Sequence, residues 1–167
     1  MDRPFLTRRR PHERPHALSI PRSTAFSRIV GSLVLAACAF AAHAEVTVTD
    51  AWVRGTVPAQ RSTGAFATLT STEDAKLVGA KSPAAKIVEV HEMAMHGGMA
   101  HMQAVDSVEL PAGRAVRLQP GSYHVMLIGL VKPLLAGEKV PLSFEIEDAK
   151  GRRSTVEASA EVRPFGR

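Results

Sequence analysis

The strongest constraint on this chain is an alternation of apolar and polar residues in short runs, interrupted by glycine and proline. Residues 46–53 read Val-Thr-Val-Thr-Asp-Ala-Trp-Val, and comparable runs occupy 63–70, 77–80, 87–93, 115–118, 123–130, 140–146 and 154–162. Alternate residues of a strand face opposite ways, so such runs can bury one face and wet the other. Turn chemistry separates them at Gly97-Gly98, Pro111-Ala112-Gly113, Pro120-Gly121 and Ala136-Gly137. No window sustains a helical period. Eight or nine short strands at this spacing predict an all-β antiparallel sandwich or small barrel of Greek-key type. Trp52, the sole tryptophan, is expected to anchor the core.

The formal charge of +5 would suit a nucleic-acid or membrane surface were it not concentrated in the leader. Residues 1–44 hold seven of the 21 Lys and Arg and two of the 16 acids, leaving 14 of each in the remainder. A neutral body with little aromatic interleaving excludes a basic nucleic-acid patch. The leader reads as an export signal: basic to Arg28, apolar from Ile29 to Phe40, then Ala42-His43-Ala44 as a small-x-small cleavage site. Its apolar run of about 12 residues is shorter than the roughly 20 of a spanning helix, so no transmembrane helix is expected in the mature chain. Residues 1–44 are thus expected to be a signal peptide cut after Ala44, and 45–167 one domain. Leu35-Ala36-Ala37-Cys38 offers the alternative of a lipobox, with Cys38 lipidated. Cys38 is the only cysteine, so cleavage after Ala44 leaves no thiolate nucleophile, disulfide or thiolate ligand.

Against this plain background, residues 91–102 stand out: His-Glu-Met-Ala-Met-His-Gly-Gly-Met-Ala-His-Met. Of the four histidines and five methionines after residue 44, only His124 and Met126 lie elsewhere. Residues i and i+2 share a strand face, so His124 and Met126 point one way while Tyr123, Val125 and Leu127 point the other. His91 and Met93 are related in the same way. Two strand ends, each offering imidazole and thioether, can meet around one ion, and the segment between can bring Met102 to it. Thioether is a soft donor and imidazole intermediate, which suits Cu(I); magnesium and calcium take oxygen instead. Methionine also survives an oxidising compartment, where cysteine is lost to disulfides. His96 and His101, and Met93, Met95 and Met99, are candidates for additional or alternative ligation, or for shielding the ion. Imidazole ligates only when neutral, so binding is expected to weaken in acid.

Other chemistries fail on spacing. His91-Glu92 followed by His96 has one residue too many for a helical zinc-protease motif: i and i+5 lie roughly 140° apart around a helix. There is no Gly-x-Ser-x-Gly elbow, and no enzymatic activity is expected. A blue-copper electron carrier needs a cysteine thiolate that the mature chain lacks.

His91, ten residues, Met102, twenty-one residues, then His124-x-Met126 resembles the HX10MX21HXM pattern of the periplasmic PCu(A)C copper chaperones. Val90-His91-Glu92-Met93, Leu118-Gln119-Pro120-Gly121, Leu130-x-x-Pro133-Leu134 and Ala51-Trp52-Val53-Arg54 are also similar to that family. The resemblance implies a cupredoxin-like β-sandwich binding one Cu(I) through His91, Met102, His124 and Met126. It further implies a periplasmic chaperone delivering copper toward the dinuclear copper site of cytochrome c oxidase. The implied partners are the copper subunit of that oxidase and thioredoxin-like copper chaperones. A copper buffer or resistance protein without a dedicated recipient is the alternative, because the same site would serve it.

Overall fold

The computed structural model describes residues 44–164, so the expected signal peptide except its last residue, Ala44, and the Cys38 lipobox lie outside the described residues. It contains ten strands: β1 (Val46–Arg54), β2 (Ser62–Ser71), β3 (Ala75–Lys81), β4 (Ala85–His96), β5 (Met99–Ala104), β6 (Val108–Leu110), β7 (Ala115–Leu118), β8 (His124–Leu130), β9 (Lys139–Asp148) and β10 (Arg153–Arg163). Among the described residues no helix is long and apolar enough to cross a membrane.

Hydrogen bonding links the strands in the path β5-β4-β8-β2-β1-β10-β9-β3-β6, with β7 beside β2. The pairing of β1 with β10 is parallel. Three residues, 82–84, join β3 to β4, and four Cα–Cα steps reach about 15 Å at most. Six strand spacings separate these two strands along the path, roughly 29 Å in a flat sheet. The sheet must therefore fold over on itself, and β3 does lie against β4. This closure makes the all-β Greek-key sandwich expected from the alternation. One cluster fills it, drawing Leu77, Val90, Val125, Leu127, Phe144 and Ile146 from four strands.

Two strands escape the alternation pattern. β5, Met-Ala-His-Met-Gln-Ala, has no β-branched residue and is exposed at every position, so no buried face marks it. β6 is three residues long. The segment around Gly97-Gly98 is a tight hairpin with His96 paired to Met99. Gly97 and Gly98 have φ of 58° and 82°, the left-handed pair that a two-residue type I′ turn demands.

Trp52 departs from expectation. It is half-buried and lies outside the core cluster. Asp50, with φ of 51°, sits where the β1–β2 register shifts between Thr49 and Trp52; such a bulge re-aims the residues beyond it. Trp52 instead stacks on Phe66, ring centroids 4.3 Å apart.

Leu127, fully buried behind the outward face of β8, sets the energetic scale of that strand. Leu127→Ala is expected to cost about 2–5 kcal/mol, measured as a lowered midpoint in urea unfolding.

Candidate metal centre

The outward face of β8 carries the site. Val125 and Leu127 enter the core, so His124 and Met126 at the alternate positions face away from it. Register then places their neighbours: His91 of β4 lies opposite His124, Gly64 of β2 lies opposite Met126, and Met93 lies opposite Met102 of β5. Met93, Met102, His124 and Met126 line one pocket of ≈270 Å³. His91 is outside that lining, but its ring meets the His124 ring edge-on, centroids 5.9 Å apart at 61°. The structure thus gathers all four candidate ligands, His91, Met102, His124 and Met126, on one sheet face, with Met93 among them.

His124 is 4% exposed, and its Nδ1 lies 3.0 Å from the Ser122 carbonyl oxygen. A carbonyl only accepts, so Nδ1 carries the proton and neutral His124 keeps its lone pair on Nε2. The turn at 119–122 supplies that carbonyl. Ser122 N–H donates to Gln119 O at 3.1 Å, with Pro120 and then Gly121 at φ 82° in the central positions of a type II turn. Met93 N–H donates to the same Ser122 oxygen at 3.3 Å, tying β4 to the turn that orients His124.

His91 has the complementary arrangement. Its Nε2 lies 2.9 Å from Glu89 Oε2, two residues back on the same face. The carboxylate accepts, so Nε2 carries the proton and the neutral ring keeps its lone pair on Nδ1. That Nδ1 is buried without a hydrogen-bond partner. An orphaned buried acceptor normally costs about 1–3 kcal/mol, and a soft cation would satisfy it. An imidazole whose other nitrogen is held by a carboxylate is the usual arrangement around a metal.

The donor set discriminates among metals. No group of three or more His, Cys, Asp or Glu able to hold an ion exists among the described residues, so zinc or calcium would find too few of its preferred ligands. Two imidazoles among thioethers suit a soft monovalent ion. Met102 is 48% exposed and Met95 and Met99 still more so, so the sulfur side of the site opens to solvent. Glu92 lies on the opposite face; there burial, and secondarily the Glu92 carboxylate, raises the Tyr123 phenol above its ordinary pKa. This disposition removes Glu92 from any role as a general base beside His91. His101 is exposed and engaged in an interaction of its own, and the His96 side chain lies outside the described residues.

Sequence reasoning missed the other wall. Arg54 and Phe66 also line the pocket, with the Arg54 guanidinium 5.6 Å from the Phe66 ring centroid and Phe66 6.3 Å from the His124 ring. A Cβ on Gly64 would come within 2.8 Å of the Phe66 ring, so glycine makes room for that ring beside Met126. Neither role has a local signature, although the same-face spacing of Glu89 and His91 could have revealed their contact.

Fold and site together define a β-sandwich domain with a sulfur- and imidazole-lined pocket on one outer face. The fold is that of PCuAC domains: the copper-bound PCuAC domain from PmoF2 superposes with a TM-score of 0.53 at 19% identity, covering 73% of this chain and all of that one. CuI-DR1885 from Deinococcus radiodurans matches with a TM-score of 0.53 at 35% identity, covering 73% of this chain and 80% of that one. "Putative lipoprotein Lxx21020" of Leifsonia xyli subsp. xyli (strain CTCB07) is 35% identical over 123 residues, 72% of this chain and 70% of that protein. Residues 46–160 match the family described as "Putative lipoprotein LpqE-like". The chain belongs to this LpqE-like family.

The Glu89 contact predicts a defined tautomer. Long-range ¹⁵N–¹H spectra of the metal-free protein should show His91 protonated on Nε2. Glu89→Gln, which keeps an accepting oxygen, should preserve that state, while Glu89→Ala should yield a tautomer mixture.

Proposed function

We propose that this protein is an exported Cu(I) carrier that binds one ion through His91, Met102, His124 and Met126. The observation that carries the reading is the buried, unpartnered Nδ1 of His91, beside His124 and on the face that presents Met102 and Met126. The Cu(I) form of DR1885, a relative 35% identical, supports the same cargo here. The role is binding and transfer rather than catalysis.

The two sides of the site differ in hold. His124 is buried and tied to Ser122, whereas Met102 sits exposed on edge strand β5. A neutral thioether at an open edge is the ligand an incoming donor displaces, while the imidazoles retain the ion until transfer completes. Such a site suits delivery toward the dinuclear copper centre of cytochrome c oxidase, with its copper subunit as recipient and thioredoxin-like copper chaperones as co-workers. Met93, across from Met102, serves as a stand-in sulfur during exchange.

The lipoprotein descriptions of the family and of the Leifsonia relative favour lipidation at Cys38 over cleavage after Ala44. Either route places the domain in the periplasm, and a lipid anchor would hold it at the membrane where the oxidase resides.

Replacing His124 and Met126 together with alanine should lower Cu(I) affinity by more than about 100-fold with the circular dichroism unchanged; retained affinity would move the site elsewhere. Cells lacking the gene should lose oxidase activity under copper limitation, restored by the wild-type chain and not by the double variant. Oxidase activity indifferent to the deletion would make the protein a copper buffer instead.

A further inference from the structure

Imidazole and sulfur account for only a third of the residues lining the pocket. Along β5-β4-β8-β2-β1, Met102, Met93, His124 and Met126 occupy one end, and Arg54, the last residue of β1, closes the other. Its backbone is pinned: Thr63 Oγ1 donates to the Arg54 carbonyl at 2.7 Å, and Gly55 N–H donates to Arg163 O at 2.7 Å. The guanidinium stacks on Phe66, which is itself packed against Trp52. Arg152 and Arg153 pair with carboxylates, but Arg54 has no ion-pair partner among the described residues.

The charge balance of this pocket is unusual for a cation site. No Asp or Glu lines it; Glu89 is engaged with His91 Nε2 and is not part of the wall. Two thioethers and two neutral imidazoles bring no charge to bound Cu(I); the Glu89 carboxylate offsets it only from behind His91, and Arg54 adds a second positive charge at the other end of the pocket. Like charges in a partly desolvated pocket repel, and an entering anion relieves both. A weakly hydrated guanidinium on an aromatic face is well suited to receive one.

We infer that Arg54 forms an anion subsite contiguous with the copper pocket, which takes the thiolate donor of the molecule that accepts the ion. This rests on the Cu(I) reading above and adds the charge class of the acceptor. The acceptor thiol first loses its proton to water. Its sulfur lone pair then forms a bond to copper as the Met102 thioether departs with its own pair, so copper stays monovalent and no oxidant or reductant is required. Arg54 draws in the thiolate and offsets its charge before the bond forms.

The test measures Cu(I) transfer from the loaded full chain by stopped flow to two acceptors: glutathione, a thiolate donor, and a methionine-rich peptide, a neutral thioether donor. Arg54→Gln should slow transfer to glutathione about tenfold, spare transfer to the thioether peptide, and bind Cu(I) at least as tightly as the wild-type chain, since a repelling charge is gone. Arg54→Lys, which keeps the charge, should recover most of the rate. In the wild-type chain, rising salt should slow transfer to glutathione and spare the thioether peptide. Equal rates for wild type and Arg54→Gln, or a salt-independent wild-type rate to glutathione, would overturn the subsite. Failure of the wild-type chain to load Cu(I) would instead overturn the reading beneath it.

Discussion

The site depends on strand β8 having one face locked into the core. Val125 and Leu127 are buried there, and a slip of one residue would exchange that face with the one bearing His124 and Met126. Exposing even two such side chains costs roughly 3–6 kcal/mol, more than the burial of one orphaned ring nitrogen. The core therefore sets the register, and the candidate ligands inherit it. Because β8 lies between β4 and β2, the same constraint aligns His91 with His124 on one side and Gly64 with Met126 on the other.

From this rigid centre the structure loosens toward its edge. β4 continues past the core to His96, turns through Gly97-Gly98 and returns as β5, none of whose residues is buried. The hairpin brings Met102 opposite Met93 without core packing. Two glycines at positive φ replace the long loop that the sequence composition alone would allow. The ladder thus specifies where Met102 sits, while its exposure leaves the side chain free to yield. Firm imidazoles and a yielding thioether arise from one sheet because burial declines from β8 to β5.

Much of this is legible in the sequence because strand periodicity is local. Val125 and Leu127 against His124 and Met126 can be assigned to opposite faces from spacing alone, and the structure keeps that division. Of the strands that escape such reading, β5 lacks a buried face, and β6 alternates but over only three residues, too few to show a period. Trp52 misses the core role expected of it because a bulge at Asp50 alters the facing of the residues beyond, and nothing in Val-Thr-Val-Thr-Asp-Ala-Trp-Val announces a left-handed φ at an aspartate. The wall built from Arg54, Phe66 and Gly64 is invisible for a different reason. It exists only after β1, β2 and β8 are neighbours, a relation set by long-range pairing rather than by composition.

That long-range wall changes what the pocket can do with a soft cation. Thioether and neutral imidazole match the softness of Cu(I) but carry no charge, and Glu89 reaches the ion only through His91, so no anion in the pocket wall neutralises it and Arg54 stands there as a second positive centre. A thiolate within this protein would close that gap and hold the ion tightly; none is available among the described residues, whose soft donors are methionines. On the carrier reading, the missing negative charge is supplied by the acceptor. The direction of transfer then follows from electrostatics as well as from softness: the ion gains both a better sulfur donor and a counter-charge by leaving, and Arg54 favours the one donor class that provides them together.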